Sequence, residues 1–189
     1  YRDEQTGLPL PSYDLWEERR GILSFTTATV YGGLMAAANI SDIFYHTEKS
    51  TLYRKTAAQI KKAIDQYLYS EKHKRFLRMI YPKKDGGYEI DATIDASLYG
   101  MFAFGVYEPT DIKIQNTMKA IEESLWVKTN IGGIARYEHD QYQRVGNDDA
   151  IPGNPWIICT MWLAQYYVST AKSVEDLERV VNYLRWTVS

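Results

Sequence analysis

The chain has 189 residues, a net charge of -2, 45% hydrophobic and 24% charged residues, a balance ordinary for a globular protein that buries a substantial core. The charge argues against nucleic acid as the main partner, because a phosphate-binding surface usually needs a basic excess. No run reaches the ~18 to 20 apolar residues that span a bilayer, so no membrane partner is expected. The 16 Tyr and 5 Trp fit a saccharide cleft or, equally, a core rich in large rings.

Pro11-Ser12-Tyr13-Asp14-Leu15-Trp16-Glu17-Glu18-Arg19-Arg20 puts three carboxylates, two aromatic rings and two guanidinium groups ahead of an apolar run. That mixture suits a sugar. Hydroxyls take charged or bidentate partners, C–H faces take flat rings, and glycosidic cleavage needs a carboxylic acid to protonate the leaving oxygen. The same residues also suit a solvated first helical turn, where the dipole favours Asp and Glu.

From Ile22 to Ala38 the chain is apolar nearly all round, with Gly32-Gly33 inside it, which predicts a buried helix that a neighbour approaches closely. An amphipathic helix follows, capped by Ser50, with Tyr53, Ala57, Ile60, Ile64 and Tyr67 on one stripe. Phe76 to Ile80 and Tyr88 to Ile90 are expected to pair as a hairpin turned by Asp85-Gly86-Gly87. Ala96 to Phe104 is again apolar all round, and Thr110 caps an amphipathic helix striped by Ile114, Met118, Ile121 and Leu125. Pro155 opens a third apolar helix to about Val168. Ser173, with Asp176 three residues on, starts a third amphipathic one striped by Leu177, Val180, Val181 and Leu184.

Apolar inner and amphipathic outer helices thus alternate, six in all, as they do when helical hairpins stack around an axis. The expected class is all-α, an α/α toroid. Long connections enter the inner helices and carry Asp14 to Arg20, Tyr81 to Asp95 and Gly132 to Trp156. Antiparallel geometry is expected to gather them at one rim, and such loops carry function.

The stretch Leu8-Pro9-Leu10-Pro11-Ser12-Tyr13-Asp14-Leu15-Trp16-Glu17-Glu18-Arg19, followed by Phe25-Thr26-Thr27-Ala28, resembles the acid-bearing segment of the glucoamylase family of glycoside hydrolases, glycoside hydrolase family 15. Gly133-Ile134-Ala135-Arg136-Tyr137-Glu138-His139-Asp140, then Pro152-Gly153-Asn154-Pro155-Trp156-Ile157-Ile158-Cys159-Thr160, resembles that family's substrate-binding loop and the helix start after it. The likeness is nearer the bacterial and archaeal branch, with its glucodextranases and some trehalases, than the fungal one. It implies an (α/α)6 barrel of twelve helices, of which this chain carries about half. With Tyr1 in place of Met and Ser189 inside an amphipathic helix, residues 1–189 are expected to be a fragment of one catalytic domain. Its cut edges would expose inner faces and make it self-associate.

The resemblance further implies an inverting, exo-acting α-glucosidase that releases glucose from non-reducing ends of α-glucans, with an oligosaccharide partner and no cofactor. Trehalase and glucodextranase are alternatives within the family; a non-catalytic toroid binding oligosaccharide or protein is the alternative from another class. Glu17, directly after Trp16, maps onto the general acid, Glu18 onto a substrate-contacting carboxylate and Arg136 onto the sugar-binding arginine. On a helical turn Glu17 and Glu18 would face about 100° apart. A general acid keeps its proton near working pH, which Trp16, Asp14 and Glu18 can favour through burial and negative charge.

Tyr13, Asp14, Trp16 and Tyr137 join as substrate-binding candidates, the three rings as stacking platforms or, equally, as core, whereas Trp156 reads as core. The alternative for Arg136 is an ion pair with Glu138 or Asp140. Asp91 and Asp95 read as helix caps before substrate contacts. The family's base lies downstream of the last motif, so the fragment is expected to be inactive; nothing in the setting of Asp140 or Asp149 singles either out as a substitute. His46, His73 and His139 lack ligand spacing, so no metal is expected. The single Cys159 excludes an intrachain disulfide, favours a cytoplasmic setting and reads as a buried, inert thiol.

Overall fold

The computed structural model describes residues 2–84, 86–146 and 150–188; Asp85 and Asp149 lie outside the described residues. The chain divides into two compact units, Tyr1–Ala92 with Gly100–Glu108, and Thr93–Tyr99 with Pro109–Ser189.

The first unit carries the strands β1 (Ser12–Tyr13), β2 (Arg20–Leu23), β3 (Tyr69–Ser70), β4 (Arg75–Phe76), β5 (Met79–Pro82) and β6 (Tyr88–Asp91). Strands β1, β2, β5 and β6 form one antiparallel sheet in that order, and β3 pairs with β4. The hairpin expected in the middle loop is β5 to β6, with Ile80 opposite Ile90, while Phe76 belongs to β4. The pairing of β2 with β5, Ile22 opposite Ile80 and Leu23 opposite Met79, corrects a second expectation. Residues 20–23 are strand, so Glu17 and Glu18 sit in the turn of a β-hairpin and not on a helical turn. Local periodicity misses this because the partner of Ile22-Leu23 lies far along the chain.

Helix α1 (Ser24–Ile43) starts where the sheet holds Ser24, whose hydroxyl donates to the Leu77 carbonyl at 2.6 Å. It packs along α2 (Thr47–Tyr67), which buries Ala57, Ile60 and Ile64 of the expected stripe. Ser50 lies inside the first turn rather than at its cap. At Gly32 a Cβ would come within 3.1 Å of the Phe104 carbonyl oxygen, so the close approach expected there is real. Yet α1 is not buried all round: Ser24, Thr27, Ala28, Ala38 and Ser41 are its buried residues, and Ile43 is 71% exposed. The apolar run expected over 96–104 is a 3₁₀ turn, Ala96–Tyr99, followed by α3 (Gly100–Ala103).

In the second unit, α4 (Ile112–Leu125) is capped by Asp111, not Thr110, through the Lys113 N–H at 2.8 Å. The whole expected stripe, Ile114, Met118, Ile121 and Leu125, is buried. Helix α5 (Ile157–Thr170) follows Trp156; Pro155 stands two residues ahead of it, bridged to Ala135. A 3₁₀ turn, Glu175–Leu177, leads into α6 (Glu178–Trp186). The capping pair is reciprocal as expected. The Ser173 N–H donates to Asp176 Oδ2 at 3.0 Å, and the Asp176 N–H donates to Ser173 Oγ at 3.3 Å. The buried stripe of α6 is Val180 and Tyr183, with Val181 and Leu184 exposed, because Tyr183 docks on Glu122 of α4. Among the described residues no helix is long and apolar enough to cross a membrane.

Candidate active site: the acid turn and the arginine strand

The turn between β1 and β2 is closed from within. The Asp14 N–H donates to the Arg19 carbonyl at 2.7 Å and the Glu17 N–H to the Asp14 carbonyl at 3.0 Å. Asp14 Oδ1 accepts the Glu18 N–H at 2.8 Å. These bonds hold Glu17 at φ 60°, a left-handed conformation that costs an L-residue roughly 1–2 kcal/mol. Glu17 is exposed there. Asp14 is only 7% exposed, and its Oδ2 is buried with no hydrogen-bond partner. Glu18 pairs with Arg19 at 3.0 Å. Tyr13 is 63% exposed on β1, and Trp16 is half-buried. Five of the sequence candidates therefore share one short turn.

The sheet adds residues that the sequence reading missed. Arg78 Nε donates to Asp91 Oδ2 at 2.9 Å, with Nη2 on the same oxygen. Tyr81 stands at 3.5 Å from that oxygen. Burial raises the Tyr81 phenol pKa, and the Asp91 carboxylate adds to the rise. Asp91 is therefore an ion-pair partner in a strand, not a helix cap. Asp95, in the second unit, is the cap expected: its Oδ1 accepts the Ser97 N–H at 2.8 Å.

Arg136 lies on an extended segment of the second unit that is bonded along both edges. Ile134 bridges to Trp126, Ala135 to Pro155 and Tyr137 to Asp95, and the Arg136 carbonyl accepts the Ala96 N–H at 2.8 Å. The guanidinium makes the ion pair offered as its alternative role, with Asp140. Nε donates to Oδ2 at 2.7 Å and Nη2 to Oδ1 at 2.8 Å. Arg136 is 4% and Asp140 0% exposed. Glu138 takes no part; it accepts the Ile94 N–H at 2.7 Å.

Three rings surround the Arg136 guanidinium carbon, Tyr137 at 5.1 Å, Tyr142 at 4.8 Å and Trp156 at 5.2 Å. Tyr137 is buried, and its ring lies against the cation. Trp156 departs from its expected place in the core. It is half-buried and, with Tyr142, Ile157 and Met161, lines a surface cavity of about 700 Å³. Tyr142 was missed, having no motif of its own; the Tyr142 and Gln143 carbonyls are held by Asn154 Nδ2 at 3.1 and 2.9 Å. Cys159 is buried and its pKa is driven up, by burial first and the Asp95 charge second. Among the described residues no group of three or more His, Cys, Asp or Glu side chains could hold a metal ion.

The first unit thus presents carboxylates beside aromatic rings, and the second, by itself, an arginine caged by rings. The known proteins that this chain resembles bear on the class. In solved structures it resembles a bacterial glucoamylase in complex with acarbose, with TM-score 0.70 and 24% identity, covering 89% of this chain and 28% of that one. It also resembles a glycosidase variant in complex with glucose, with TM-score 0.71 and 20% identity, covering 94% and 41%. The likeness shows the fold, that of (α/α)6 glucoamylase barrels, of which this chain carries six helices among the described residues. Residues 8–185 match the family model of glycosyl hydrolases family 15, and the chain belongs to that family.

An uncharacterized glycosyl hydrolase of Methanocaldococcus jannaschii is 35% identical over 167 residues, 88% of this chain and 24% of that protein. A glucoamylase of Clostridium sp. is 26% identical over 186 residues, 87% of this chain and 26% of that protein. The chain spans about a quarter of the length of the curated relatives it matches.

Proposed function

We propose that this chain carries the acid side of an inverting, exo-acting α-glucosidase of glucoamylase type, which releases glucose from the non-reducing ends of α-glucans. Glu17 is the general acid, Glu18 and Asp14 contact the substrate, and Tyr13 and Trp16 offer rings to it. Arg136, oriented by Asp140 and backed by Tyr137, binds the terminal sugar. The observation that carries this reading is Glu17 itself, an exposed carboxylate held at φ 60° in a turn closed through Asp14. Strained backbone held in place by its surroundings is a mark of functional sites. Relatives named glucoamylase, from Clostridium sp. and Rhizopus oryzae, support the substrate class.

Residues 1–189 are, in this reading, part of one (α/α)6 catalytic domain. The apolar side chains left exposed on α1 and α5, Ile40, Ile43, Ile157 and Ile158, belong to faces that further helices of that domain cover, and the chain on its own self-associates through them.

The test is Glu17→Gln in the full-length protein. Amide for acid keeps the shape and removes the proton, so turnover of maltose should vanish while glucose binding persists. Retention of more than about a tenth of wild-type turnover, a loss under ~1.4 kcal/mol, would remove Glu17 from the acid role.

A further inference from the structure

We infer that α6 is a brace for the arginine strand and that Trp186 is a positioning residue for Arg136; this rests on the proposed role of Arg136 as the sugar contact. Trp186 closes α6 and reaches the loop ahead of that strand. Its indole Nε1–H donates to the Ile131 carbonyl at 2.7 Å. Its ring lies where a side chain at Gly133 would be: a Cβ built there would stand 2.3 Å from Trp186 Cζ2.

Gly132 and Gly133 have φ 73° and 85°, and a Cβ at Gly132 would stand 3.0 Å from the ring of Trp126. Two tryptophans, one just after α4 and one at the end of α6, therefore grip a Gly-Gly turn whose backbone only glycine adopts without strain. The next three residues are Ile134, Ala135 and Arg136, so the exit angle of this turn sets the line along which the guanidinium is delivered.

The helix that presents Trp186 is itself anchored. Tyr183 donates to Glu122 Oε1 at 2.8 Å and Tyr167 to Glu122 Oε2 at 2.5 Å. Arg179 stacks over the Tyr167 ring at 4.6 Å and lies 3.6 Å from Glu122 Oε1. Helices α4, α5 and α6 meet at that one carboxylate. A recognition group held by a rigid supporting shell keeps its geometry, and a displacement of about 1 Å can cost on the order of 100-fold in rate. Asp140 fixes the orientation of the guanidinium from one side; Trp186 fixes the strand that carries it.

The experiment is a double-mutant cycle in the full-length protein, with kcat and KM measured on maltose well below the melting temperature. Trp186→Ala should lower kcat/KM by about 10- to 100-fold, carried mainly by KM, because Arg136 binds ground and transition state alike. In an Arg136→Lys background the same substitution should cost less than about twofold, since the geometry it protects is already lost. Trp186→Phe keeps a ring on Gly133 and removes only the bond to Ile131, so its loss should be intermediate; it carries the same cycle if Trp186→Ala fails to fold. An equal loss in both backgrounds, or a lowered melting temperature with unchanged kinetics, overturns the brace and leaves the saccharide role of Arg136 standing. An Arg136→Lys protein with wild-type kcat/KM instead overturns that role, and the brace falls with it.

Discussion

Glu17 occupies a backbone position where glycine would rest without strain, and this separates what the residue does for stability from what it does for chemistry. Its φ of 60° is set by bonds from Asp14 to residues 17, 18 and 19, none of which uses the Glu17 side chain. Glu17→Gly should therefore raise the stability of the protein, by about 1 kcal/mol, while abolishing turnover. Thermal unfolding and maltose hydrolysis measured on the same preparation check both halves. A lowered melting temperature would mean that the carboxylate holds the turn. The sequence names these residues without their conformation: Trp16-Glu17-Glu18 is picked out by resemblance, but that residues 20–23 after it are strand and not helix depends on β2 pairing with β5 across a long loop. Arg136 was legible to the same degree. Its ion pair with Asp140 was one of two candidates, and what excluded Glu138 was a backbone N–H, that of Ile94, which side-chain spacing cannot reveal.

Helix stripes were legible where a helix faces one neighbour and less so where a polar hub intervenes. All four stripe residues of α4 are buried, but α6 is turned so that Tyr183, not Leu184, faces inward. The reason is Glu122, which draws the phenols of Tyr167 and Tyr183 together. Burial raises both phenol pKa values, and the hydrogen bonds to Glu122 raise them further. For a phenol whose folded pKa lies above its unfolded value of about 10, the stabilisation is complete below pH ~10 and is lost as pH climbs toward the folded value. Unfolding midpoints recorded from pH 8 to 11.5 should therefore fall more steeply for wild type than for Tyr183→Phe, which lacks one titrating phenol. Parallel slopes would show that the pair does not couple ionisation to folding.

At the scale of the whole molecule, the alternation of apolar and amphipathic runs was enough to give the α/α class, but not the burial of each run. Helix α1 is as apolar as a core helix and yet exposes Val30, Ile40 and Ile43; α5 exposes Ile157, Ile158 and Val168. Apolar composition states that a face needs covering, and not by what. The distribution of carboxylates leads to the last prediction, that residues 1–189 purified by themselves release no glucose from maltose or isomaltose. Inverting hydrolysis needs a base that activates water some ~6.5–9.5 Å from the acid. Asp140 cannot serve, since it is fully buried and both its oxygens are bound by Arg136. Asp91 is held by Arg78, and Asp95 by the Ser97 backbone. In the proposed reading the base comes from the rest of the domain, so residues 1–189 leave the attacking water protonated. On the proposed reading that the apolar side chains exposed on α1 and α5 belong to faces the rest of the domain covers, the same preparation should bind a hydrophobic dye and sediment as more than a monomer. Glucose release that disappears in Glu17→Gln would mean that the chain holds its own base. A dye-silent monomer would mean that those faces need no cover.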